Sequence, residues 1–112
     1  MKPLEQYIDC MTRGDNLALA ELFAENGILH DASFTKAGGN TLHLEGRKSI
    51  EMMFHNKFGT NGGPFPIQGL VCQGDSIARY LISFGDRVVP VIAILSPLDA
   101  QGKIQRLDIL PL

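Results

Sequence analysis

The chain has no stretch near the roughly 18 consecutive apolar residues that a membrane-crossing helix requires. It also has no cluster of Lys or Arg that would leave an electrostatic footprint for nucleic acid or an anionic membrane surface. These absences weigh against both partners. The opening, MKPLEQYIDC, interrupts any apolar run with Glu5 and Asp9 and does not read as a secretory signal. Cysteine is scarce: Cys10 and Cys72 stand alone, and without an export signal they read as reduced core thiols, not a disulfide. A cytoplasmic location is the expectation. No GxGxxG precedes a helix, and His43 and His55 lack the i, i+4 or short-loop spacing of metal ligands, so neither a nucleotide cofactor nor a metal is expected.

What is present fits one ordinary globular domain over residues 1–112, with 45% hydrophobic and 20% charged residues and a formal net charge of −2. Leu4, Tyr7, Ile8 and Met11 recur at helical spacing, which predicts a first helix with Tyr7 facing inward and Pro3 in its first turn. Gly14 and Asp15 mark a stop and a new N-cap. A second helix follows, with Leu19, Leu22 and Phe23 on its stripe and Asn26-Gly27 at its end. Ile28 to Phe34 predicts a strand in which Leu29, Asp31 and Ser33 share one face and Ile28, His30, Ala32 and Phe34 the other.

A loop over 35–41 and a brief strand over 42–44 lead to a third helix opening at Gly46, with Ile50, Met53, Phe54 and Phe58 inward. The segment GTNGGPFP is the strongest break. Beyond it, turn signals at Gly74-Asp75, Gly85-Asp86 and Asp99–Gly102 delimit four antiparallel strands near 67–73, 76–84, 87–96 and 103–110. The run VVPVIAILS is apolar on both faces. One face is expected on the helices and the other under a second subunit, with Pro90 limiting pairing on one side.

The pattern Y-x6-GD, then ELFAENGILHD and EGRKSIEMMF, resembles the nuclear transport factor 2-like superfamily, in its SnoaL-like polyketide cyclase and ketosteroid isomerase branch. The resemblance spans residues 5–58 and is anchored in the sheet by GKI at Gly102–Ile104. It implies an α+β, cystatin-like fold, in which a cone-shaped, curved antiparallel sheet wraps three N-terminal helices. It also implies roles: Tyr7 matches the catalytic tyrosine of the isomerases and Asp31 their general base. Their second, protonated acid would fall on Ile94, which departs from the pattern. The branch therefore suggests an isomerase or cyclase that takes a proton next to a carbonyl of an apolar substrate, with Asp31 as base and Tyr7 as oxyanion donor. Asp108, Ser96 and His55 are candidates to replace the missing acid.

Each position also has a plainer reading. Tyr7 on an apolar stripe suits a core tyrosine, and Asp31 suits a strand end that bonds the next loop. His30, at opposite parity to Asp31, suits a surface or an interface. Met11, Phe23, Met53, Phe54, Phe58 and Ile94 are the candidate lining for an apolar small molecule, although helical Met and Phe more often form plain core. Three functions follow: an enzyme, a non-catalytic module holding an apolar ligand, or a dimerisation module, with a homodimer through the sheet fitting all three.

Overall fold

The computed structural model describes every residue from Met1 to Leu112. Helix α1 runs Pro3–Arg13, its first turn held by the Lys2 backbone N–H donating to Glu5 Oε1 at 3.0 Å. It buries Leu4, Tyr7, Ile8 and Met11, the predicted stripe. Gly14 then turns the chain at a left-handed φ of 69°, open to glycine without strain, and Asp15 Oδ1 accepts the Ala18 N–H at 3.0 Å to start helix α2, Asn16–Glu21.

Here the structure departs from the sequence reading. Strand β1 is Phe23–Asp31, so Phe23 belongs to the sheet and not to the second helix, and Asn26-Gly27 lie inside the strand instead of ending the helix. Arg47 fixes the early start by donating from Nε and Nη2 to the Phe23 carbonyl at 2.9 and 2.7 Å. Between Phe23 and Ile28 the register shifts in a bulge. A Cβ on Gly27 would lie 2.8 Å from the Ile104 carbonyl oxygen, so only glycine lets the two backbones approach there. At the far end the Ser33 N–H folds back onto the Asp31 carboxylate and opens a 3-10 turn, Ser33–Ala37, which ends the strand before Phe34.

Strand β2 (Leu42–Glu45), helix α3 (Arg47–Asn61) and strands β3 (Ile67–Gln73), β4 (Ile77–Phe84), β5 (Arg87–Leu95) and β6 (Ile104–Pro111) complete an α+β fold with a curved sheet. The strand order is β2-β1-β6-β5-β4-β3. All pairings are antiparallel except β1 with β6, which run parallel and join the N-terminal hairpin to the C-terminal strands. No helix is long and apolar enough to cross a membrane.

The core lies between the helices and the inner face of the sheet. Tyr80 and Ile82 of β4, Val91 and Ala93 of β5, and Leu107 and Ile109 of β6 point into it. Of the two thiols expected in the core, Cys10 is buried there, whereas Cys72 is exposed. Phe34, Phe58, Phe65 and Phe84 form an aromatic cluster at one end, with ring centroids 4.8 to 5.8 Å apart. On the other face Val88, Pro90 and Ile94 are exposed. The run is thus apolar on both sides, as the sequence suggests.

Candidate functional site

Asp31 ends β1 on the inner face, between Leu42 of β2 and Ile109 of β6. It is 1% exposed. Oδ1 accepts two hydrogen bonds from Ser33, the backbone N–H at 2.8 Å and the hydroxyl at 2.5 Å. Burial dominates its titration and raises the carboxyl pKa to about 6, against the opposing pull of the Ser33 bonds and the His30 and Lys57 charges. Such a group is mostly ionised at neutral pH yet poorly solvated, the combination that suits a general base.

Tyr7 projects from α1 into the same interior. Its ring meets Phe23 edge-on at 6.4 Å, and its hydroxyl is buried without a hydrogen-bond partner. An orphaned buried hydroxyl costs about 1–3 kcal/mol, so its retention calls for a use. Burial first, and then the Asp31 charge, raise the Tyr7 pKa well above the usual phenol range. Both effects, in the same order, act on Tyr80, which lies on the inner face of β4. Two phenols that stay protonated therefore share the interior with one carboxylate whose charge both feel. Tyr80 was absent from the sequence reading, although its strand alternates Ala78, Tyr80 and Ile82 on one face and so carried the signal.

Met11, Phe23, Phe54 and Phe58 are buried core residues, and Met53 is half-buried against them. Ile94 is not in the wall. It lies on the outer face of β5, 40% exposed, because the inward parity belongs to Ala93 and Leu95. Nor do the proposed substitutes converge on Asp31. Asp108 is on the outer face, held by Arg106 through two bonds of 3.0 Å, and His55 is exposed on α3. Ser96 Oγ is buried and unpartnered, but its residue lines a separate 540 Å³ groove beside Lys2, Pro3 and Asp75.

None of the five main cavities is lined by Tyr7, Asp31 or Tyr80. A 210 Å³ cleft lies between Phe34, Lys57, Phe65 and Phe84. Phe34 follows Ser33 directly and the Lys57 charge is felt at Asp31, but Asp31 itself does not line this cleft. Lys57 Nζ stands 4.7 Å over the Phe34 ring at the rim of the cleft. No group of three or more His, Cys, Asp or Glu side chains comes together as a metal cage.

No protein-family model matches the chain, and no curated protein matches its sequence. Solved structures do match. A candidate polyketide cyclase from Sinorhizobium meliloti aligns with 21% identity and a TM-score of 0.70, covering 96% of this chain and 93% of that one. An uncharacterised cystatin-fold protein from Novosphingobium aromaticivorans gives 15% identity and a TM-score of 0.72, with 98% of both chains covered. A candidate ketosteroid isomerase from Kribbella flavida gives 14% identity and a TM-score of 0.69 over 98% of this chain and 75% of that one. Further matches are described as NTF2-like. At these identities the likeness speaks for architecture alone, and the chain has the NTF2-like, cystatin-like fold.

Proposed function

We propose that this protein binds a small apolar carbonyl compound and removes a proton from the carbon next to the carbonyl, with Asp31 as base and Tyr7 as oxyanion donor. One observation carries the reading: an unpartnered, buried Tyr7 hydroxyl shares the interior with a lone carboxylate whose pKa burial raises to about 6. Tyr80 takes the place of the second acid as a further donor, since a phenol that keeps its proton can stabilise an enolate oxygen as a protonated carboxyl does. The candidate cyclase and isomerase among the solved structures are in keeping with this chemistry.

Because none of the main cavities reaches Asp31, a substrate would need the packing around Phe34, Phe65 and Phe84 to open. The test needs no prior substrate: exchange of α-hydrogens for deuterium in small cyclic ketones, followed by NMR. Exchange that the native chain catalyses and Asp31→Asn loses is the expected result. Undiminished exchange in Asp31→Asn would overturn the assignment of the base. No exchange by the native chain, with a phenol still bound, would leave a non-catalytic apolar-ligand module in its place.

The outer face of the sheet favours a second copy of the chain as partner. Val71, Leu81, Val88 and Ile94 are 59%, 37%, 51% and 40% exposed there, an apolar surface that a lone chain would leave in water. Sedimentation equilibrium giving a dimer is the expected outcome, and a monomer at all concentrations would refute it.

A further inference from the structure

On the outer face of the same hairpin the register sets His30 directly opposite His43. Their Nδ1 atoms are 3.2 Å apart, with the rings inclined at 66°. Two nitrogens can stand this close as one N–H···N hydrogen bond, or as two ligands of one ion. At Zn–N distances of 2.0–2.1 Å, paired ligands are separated by roughly 2.9 Å at a right angle and roughly 3.4 Å at a tetrahedral angle. The observed spacing falls between those limits.

We propose that His30 and His43 bind one divalent transition ion of the zinc, nickel and copper group through their Nδ1 atoms, the ion replacing the proton that the rings otherwise share. Imidazole pairs select these ions over magnesium or calcium. The surroundings suit the role. Glu45 Oε1 lies 3.4 Å from His43 Nε2, where it can accept the proton of the nitrogen left free. A carboxylate in that place fixes the tautomer and raises the basicity of the ligating nitrogen. Beyond His30 in the sheet, Asp108 is neutralised by Arg106, so the Glu45 carboxylate is the uncompensated charge beside the imidazole pair. The His43 side chain is 47% exposed, which leaves the ion open to solvent and its remaining positions to water. The pair faces away from Asp31, which lies on the opposite face of the sheet.

The experiment is calorimetric titration of the untagged chain with zinc alone, repeated on His30→Ala, His43→Ala, Glu45→Gln and Cys72→Ser. The expected result is one saturable ion per chain, with affinity more than tenfold weaker in either histidine variant and about tenfold weaker in Glu45→Gln. Cys72→Ser should bind as the native chain does, and acidification, which protonates imidazoles, should release the ion. The substituted side chains are on the surface, so circular dichroism should show the fold retained. Absence of saturable binding would overturn the proposal, as would binding that survives both histidine variants or vanishes in Cys72→Ser, the other exposed metal-seeking side chain.

Discussion

Asp31 and His30 are consecutive residues of β1, and the pleat sends them to opposite faces of the sheet. On the inner face the carboxylate is sealed among apolar side chains, and burial raises its pKa to about 6. On the outer face the half-buried imidazole of His30 meets a second, exposed imidazole across the hairpin. Burial turns a common acid into a base suited to neutral pH, whereas exposure leaves a common base free to act as a ligand. Position on the pleat, more than residue type, decides which chemistry each can do.

The sharpest way to test the inner half of that comparison is Tyr7→Phe. Loss of one oxyanion donor slows catalysis by ~10² to 10³, so ketone exchange should fall by that factor. Removing an unsatisfied buried hydroxyl should at the same time raise stability by about 1 kcal/mol in denaturant unfolding. A variant that loses both activity and stability would mean that the hydroxyl has a structural partner, and the plain core reading would replace the catalytic one.

Asp31→Asn tests the burial itself. The folded carboxyl titrates at about 6, against about 3.9 when unfolded. Folding therefore favours the protonated form: the stability that a neutral Asp31 allows is fully present below pH 4 and is lost as the pH rises through 6. Asparagine stays neutral and can still accept from Ser33. The variant should match the native chain near pH 4 and exceed it by about 3 kcal/mol at pH 7. Equal stabilities at pH 7 would show that water reaches the carboxylate, and the contrast between the two faces would collapse.

Both faces depend on the bulge that sets the parity of β1. Gly27→Ala would push a Cβ to 2.8 Å from the Ile104 carbonyl and 3.0 Å from that of Ala24. A cost of about 2 kcal/mol in thermal or denaturant unfolding is expected. Because register fixes which side chains face inward, the same variant should weaken zinc binding and ketone exchange together. Loss of one function alone would separate two properties that the strand geometry ties together.

That bulge also explains how much could be read in advance. The α1 stripe, the Gly14-Asp15 turn and the strands after Pro66 are local patterns, set by helical spacing and turn residues, and they appear close to where expected. The early start of β1 depends on Arg47 reaching the Phe23 carbonyl and on pairing with Ile104, contacts with residues far along the chain. The facing of His43 onto His30 is likewise a matter of register, invisible to a search for i, i+4 ligands. Tyr80 could have been found by alternation alone. Ile94 shows the opposite: the motif places a role there by distance along the chain, whereas the alternation of β5 turns Val91 and Ala93 inward and Ile94 outward.

The smallest expected effect checks that parity. If Ile94 lined the interior, Ile94→Asp would restore the missing second acid, with tighter binding of phenols that mimic an enolate and a severe loss of stability from a buried charge. On the outer face, beside Asp108, the new carboxylate meets water. Unfolding free energy of the monomer should change by no more than about 0.5 kcal/mol, and phenol affinity should not change. What should move is the proposed association of copies, because a charge added to the exposed apolar strip of β5 repels its counterpart across a two-fold contact. Sedimentation shifted toward monomer, with unchanged ketone exchange, would separate the two faces of β5 as His30 and Asp31 separate those of β1. Tighter phenol binding would instead return Ile94 to the pocket wall.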